Sequence, residues 1–214
     1  MYVLPDSNHK INTAGELDQQ NGTAGPGYAA VQLNSVHPLM RDRTNSGRFI
    51  ARALAAHHWE INITYNPLTR NEFDLLYAFL HGRGGGLKPF YVSLPQYYAP
   101  KDATMVTNPT VNGAVDAGTR SIAYSSSAGN PSQGDLFTIT DSNDSAHTKA
   151  YIVVSRDAGA ITINPPLARN VATASILVFN DPLIKCTLAE DGIEYSISSN
   201  GLYNLSLKLE EVMI

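Results

Sequence analysis

The segment Gly82-Arg83-Gly84-Gly85-Gly86-Leu87-Lys88 invites phosphate chemistry by residue type alone. A phosphate loop sets its glycine N–H groups between a strand and a helix, and a Ser or Thr after its lysine reaches Mg²⁺. Here the pattern predicts a helix before the glycines and a strand after them, and Pro89 follows Lys88. The spacing of the glycines is wrong as well. The reading that remains is a helix-to-strand turn that packs against a neighbouring subunit.

Other candidate groups fail on similar grounds. His57 and His58 are adjacent, and Glu60 follows. On a strand His58 and Glu60 share a face, but a metal needs a third ligand, and nothing nearby supplies one at a recognisable spacing. His9, His37, His81 and His147 stand alone in turn-like or helix-end contexts. The run Asp141-Ser-Asn-Asp-Ser145 lacks the glycine and the distal glutamate of a calcium loop, so it reads as a turn. No G-x-S-x-G occurs, and Cys186 lies in an apolar strand pattern that predicts an inert buried thiol. Spacing alone leaves open a carboxylate pair drawn from distant strands, and nothing favours one. The sequence therefore predicts no catalytic residues, no cofactor and no metal.

The bulk composition agrees with a building component. The 214 residues can form one large domain or two small ones. Only 16% are charged, below the usual quarter, as for a surface partly covered by other subunits and equally for a glycosylated or simply polar one. A net charge of −4 without any run of Lys or Arg gives no footprint for nucleic acid or an anionic membrane surface. One cysteine permits no internal disulfide. The N-terminal MYVLPDSNHK has no basic region followed by an apolar one, so no secretion signal is expected. No apolar run approaches the ~20 residues of a membrane span, so membrane insertion is not expected.

These residues must be positioned by a mainly β chain with one helix. Residues 1–28 read as an arm or long loop, and VQLNSVHPLM (31–40) as a first strand closed by the turn RDRTNSG. FIARALA (49–55) and HWEINITY (58–65) read as an antiparallel pair. In the latter Trp59, Ile61, Ile63 and Tyr65 share one face. Asn66-Pro67 stops that strand, and Thr69 with Glu72 fits a capping box. The helix 71–81 then aligns Phe73, Leu76, Tyr77 and Leu80 in one stripe against a sheet, and Gly82 ends it. FYVSLP (90–95) is the next strand. Tyr97 and Tyr98 follow outside any periodic pattern, which marks them as interface residues.

From about Ala103 the chain turns to Ser, Thr, Ala, Gly and Asn. Short strands are expected at 121–124, 135–139, 149–155, 160–163 and 175–179, a spacing that suits a small barrel or sandwich. Longer strands return at 183–188, 193–198 and 202–212. This order implies a base domain (1–102 and 183–214) interrupted by an inserted β-domain (103–182), because the closing strands need partners.

The pattern W-E-I-N-I-T-Y-N-P-L-T-R-x-E-F from Trp59 to Phe73, with F-Y-V-S-L-P after the helix, resembles bacteriophage tail proteins built on the tail-tube fold. The stretches AGTRSIAY, GDLFTI, AYIVVS and AITINPPLARNVATASILVF resemble the small β-domain of phage distal tail and minor tail proteins. The resemblance covers residues 48–212 and carries no catalytic residues. It implies a β-sandwich or barrel flanked by a helix and interrupted by an all-β insertion. It also implies a structural virion protein, assembled in the host cytoplasm, whose hexameric ring joins the tail tube to the tip or baseplate hub. DNA would pass through its channel without specific binding. The turn residues Gly82, Arg83, Gly84, Gly85, Gly86 and Lys88, with Tyr97 and Tyr98, are the expected subunit interface. Trp59, Ile61, Ile63, Phe73, Leu76, Tyr77 and Leu80 are the expected core of the base domain. A tube initiator or minor tail protein elsewhere in the tail is the nearest alternative. A carbohydrate-binding tail module is another, and it would need exposed aromatics among Tyr124, Phe137, Tyr151 and Phe179.

Overall fold

The computed structural model describes residues 1–54, 57–126 and 128–212. The final residue of FIARALA, Ala55, and the first of the SAGNPSQG turn, Ser127, lie outside them, as do Met213 and Ile214. The fold is mainly β with one α-helix. In chain order the strands are β1 (Lys10–Ile11), β2 (Thr23–Ala24), β3 (Tyr28–Val36), β4 (Leu39–Arg43), β5 (Phe49–Ala53) and β6 (His58–Tyr65). Helix α1 (Arg70–Gly82) is followed by β7 (Phe90–Val92), β8 (Thr110–Val111), β9 (Ser121–Ser125), β10 (Leu136–Thr140), β11 (Ala150–Asp157) and β12 (Ala160–Asn164). Strands β13 (Ile176–Val178), β14 (Ile184–Leu188), β15 (Tyr195–Ile197) and β16 (Tyr203–Glu211) complete the chain.

The main sheet runs β3-β6-β16-β14-β7, with β15 paired to the first part of β16. Alternation fixes its register, because a slip of one residue would turn every apolar side chain to the wrong face. Trp59, Ile61, Ile63 and Tyr65 of β6 point inward with Leu205, Leu207 and Leu209 of β16 and Ile184, Cys186 and Leu188 of β14. Onto this face packs α1 through Phe73, Leu76, Phe79 and Leu80, all buried. Each such side chain contributes roughly 1.5–3 kcal/mol by leaving water. Tyr77, expected in the stripe, is half-buried and stacks on Phe73 with ring centroids 5.0 Å apart. Phe79 widens the stripe in its place.

The sheet's two edges differ. Residues 2–4 cover the outer edge of β7, where Leu4 N–H donates to Tyr91 O at 2.8 Å and Tyr91 N–H to Tyr2 O at 2.9 Å. Among the described residues no strand pairs with the outer edge of β3.

Three local expectations are corrected. β5 does not pair with β6; it folds back on β4 as a separate two-stranded ribbon. The tight turn at Thr44–Arg48, closed by Thr44 N–H to Arg48 O at 3.0 Å, joins those neighbours, while both edges of β6 are taken by β3 and β16. The stretch 31–40 is likewise two strands, split at His37-Pro38, where proline has no N–H to give the ladder. Gly82 belongs to the helix, and positive φ appears at Gly84 (67°) and Gly85 (65°).

Between β7 and β14 the chain builds a closed barrel in the order β10-β11-β12-β9-β8-β13. Its interior holds Phe137 stacked on Phe179 at 4.8 Å, with Tyr151 5.7 Å from Phe137. A bulge between Val153 and Ser155 disturbs the β11–β12 ladder, and such a bulge sharpens the bend a small barrel needs.

Candidate assembly surface

The side chains with chemical potential are spent on structure. His9 is buried between two carboxylates: Nδ1 lies 3.1 Å from both oxygens of Asp6, and Nε2 lies 2.7 Å from Asp181 Oδ2. Burial alone would pull its pKa down. The hydrogen bonds to Asp181 and Asp6 outweigh that and raise it to about 9. Ser93 Oγ donates to Asp181 Oδ1 at 2.5 Å rather than to the imidazole. Both ring nitrogens therefore face carboxylates, and no lone pair is free to activate a hydroxyl as a catalytic triad requires. The cluster clamps the first residues of the chain to the segment returning from the barrel. Nothing local in the sequence marks it, since Asp181 is 172 positions from His9.

A second buried cluster joins barrel to sheet. Glu211, at the end of β16, pairs with the Lys149 ammonium and accepts Ala150 N–H at 2.9 Å and Trp59 N–H at 3.2 Å. Lys149 Nζ also donates to His57 O at 2.9 Å, and Trp59 Nε1 donates to Ala150 O at 3.0 Å. Burial pushes Glu211 up and Lys149 down, while their mutual attraction opposes both shifts.

The remaining candidates stay apart. His58 Nε2 is 3.7 Å from Glu60 Oε1 and 3.6 Å from Glu210 Oε1, on the half-exposed face of the sheet. Burial pushes the Cys186 thiol well above its ordinary pKa. Among the described residues no group of three or more His, Cys, Asp and Glu could hold a metal ion. No helix among them is long and apolar enough to cross a membrane.

The glycine-rich turn lies at the surface but is tied to its own chain. Thr187 Oγ1 donates to Gly86 O at 2.7 Å, and Lys88 N–H donates to Arg83 O at 3.1 Å. The Arg83 guanidinium lies 3.5 Å from the ring centroid of Tyr2. Gly82, Gly84, Gly86 and Lys88 are exposed, Arg83 and Gly85 half-buried, and Leu87 projects with 79% of its surface free. Tyr98 is exposed, whereas Tyr97 is half-buried against the core beneath the sheet.

An uncovered apolar feature that sequence reasoning did not single out is the β4–β5 ribbon. Every residue in its strands is exposed, including Leu39, Met40, Phe49 and Ile50. The cross-strand register places Leu39, Arg41, Arg43, Phe49, Ala51 and Ala53 on one face. Met40, Asp42, Ile50 and Arg52 lie on the other. Apolar residues thus sit beside charged ones on both faces. That doubled pattern around the Thr44-Asn45-Ser46-Gly47 turn was the available signal.

Comparison with known proteins adds one family. Residues 19–97 match the family described as "Distal tail protein pb9, A domain, N-terminal". The chain is 30% identical over 202 residues to Distal tail protein pb9 of Escherichia phage T5, covering 87% of this chain and 93% of that protein.

Proposed function

Because the chain belongs to the family of bacteriophage distal tail proteins, we propose that it forms a ring of six subunits at the distal end of the tail tube, connecting tube to baseplate or tip. The observation that carries this reading is the uncovered β4–β5 ribbon. A lone two-stranded ribbon is marginal in water, and one with apolar residues on both faces requires a cover. The unpaired nine-residue edge of β3 supports the same reading, since an open edge recruits another chain unless it is blocked. The exposed glycine-rich turn and Tyr98 add rim contacts to neighbouring tail proteins, with the half-buried Tyr97 next to Tyr98.

In this reading residues 1–102 and 183–214 form the ring, and the barrel of 103–182 projects from it to hold adjacent tip proteins. The subunits assemble in the host cytoplasm, and the channel passes DNA without binding it specifically. The side chains play no catalytic role. Position in the particle is what separates this role from that of a tube initiator or minor tail protein. A carbohydrate-stacking platform on the barrel is disfavoured, because Tyr124, Phe137, Tyr151 and Phe179 are all at most 6% exposed.

Mass photometry and negative-stain microscopy of the purified chain should show closed rings of six. A strict monomer at high concentration, together with a native particle lacking such a ring, would overturn the reading.

A further inference from the structure

The ribbon leaves the sheet after Val36, which pairs with His58, at the end where β16 reaches Glu210 and Glu211. The other end of β16 begins at Tyr203, about 26 Å away at 3.3 Å per residue. There the Phe73 ring is surrounded by Tyr203 at 4.3 Å, Tyr195 at 4.8 Å and Tyr77 at 5.0 Å. Tyr195 is 46% and Ile197 56% exposed, so the cluster forms an aromatic ledge open to water. Beside it the loop after β14 carries Glu190, Asp191 and Glu194, with Lys208 Nζ donating to Glu190 Oε1 at 2.6 Å. A groove of about 400 Å³ lies along this loop, lined by Leu188, Ile193 and Leu207 together with Glu190, Glu194 and Lys208.

We propose that this ledge is the receptor for the β4–β5 ribbon of a second copy of the chain. The inference rests on the ring reading and adds which surface of the neighbour receives the ribbon. Charge selects the pair. From Leu39 to Ala53 there are four arginines and one aspartate, a balance of +3, so the rest of this −4 chain carries −7. The ledge sets the exposed acids Glu190, Asp191 and Glu194 near the exposed Tyr195, so guanidinium groups find both charge partners and a stacking face there. The exposed Tyr195 and Ile197 offer the ribbon's apolar residues a patch of their own kind, and the acids of the loop ring it with charge. Two ribbons, or two ledges, would repel each other, so a two-fold pairing of like surfaces is opposed. Donor and receptor are different surfaces of one chain, so the joint is head-to-tail, the kind that closes into rings.

The test is charge reversal at exposed positions, with ring formation read by mass photometry and folding checked by circular dichroism and thermal melting. Arg41→Glu, Arg43→Glu and Arg48→Glu together should raise the concentration needed for rings by about a hundredfold, because like charges brought together cost several kcal/mol. Glu190→Arg, Asp191→Arg and Glu194→Arg together should do the same. All six changes in one chain should restore rings, and an equimolar mixture of the two triple variants should give rings of alternating composition. If ribbon reversal abolishes rings while ledge reversal leaves them intact, the ribbon docks elsewhere and this inference falls alone. Failure of the sixfold variant to regain rings overturns it equally, as does indifference of the wild-type ring to either reversal. A wild-type chain without rings overturns the ring reading first and this inference with it.

Discussion

At the scale of single residues, Glu211 bears the largest consequence. Its carboxylate satisfies the Lys149 ammonium and the N–H groups of Ala150 and Trp59, all away from water. Glu211→Ala leaves that ammonium buried and unpaired, so a loss of about 3–5 kcal/mol is expected in urea denaturation. Replacing both partners by apolar residues, Lys149→Met with Glu211→Leu, should recover most of it, because a buried pair is itself near break-even against well-packed carbon. His9 predicts a pH dependence. Its folded pKa of about 9 stands above the ordinary 6.5, so its contribution is full below 6.5 and drains away as pH rises through 9. Melting temperatures measured from pH 6 to 10 should fall across that window and flatten in His9→Gln. Neither cluster was legible, since His9 finds Asp181 172 positions away and Lys149 finds Glu211 62 away. By contrast, the inward row of Trp59, Ile61 and Ile63 was legible residue by residue, because alternation is a local property.

At the scale of elements, the helix was the most readable part. Thr69 donates through both N–H (2.8 Å) and Oγ (2.6 Å) to Glu72, and these bonds hold the Glu72 carboxyl below its usual range. Thr69→Ala should cost about 1 kcal/mol, seen as a lower urea midpoint at unchanged slope. Its far end is less readable: the helix runs one residue further, to Gly82, and the left-handed turn falls two residues later, to Gly84, after Arg83 closes the last helical bonds. Strand positions were also legible, but strand partners were not. FIARALA and HWEINITY are neighbours in sequence, and nothing in either shows that the second already has β3 and β16 on its two sides. The ribbon is hard to read from the sequence for a related reason. Its apolar residues face both ways, which in a sequence looks like weak patterning and in the fold means two faces awaiting cover.

At the scale of the whole molecule, the chain enters the barrel after β7 and leaves it before β14. The cluster of Trp59, Lys149 and Glu211 makes a third tie. That tie meets the sheet on β6 and β16, both interior strands, whereas the covalent crossings lie on the edge strand β7 and its neighbour β14. A pull on the barrel would therefore be shared among three anchor points. Part of the load enters along the axes of the two central strands, in shear, where the whole β6–β16 ladder resists together. It does not peel a single edge strand open one hydrogen bond at a time. A barrel tied down this way can be tugged hard while the sheet keeps its shape.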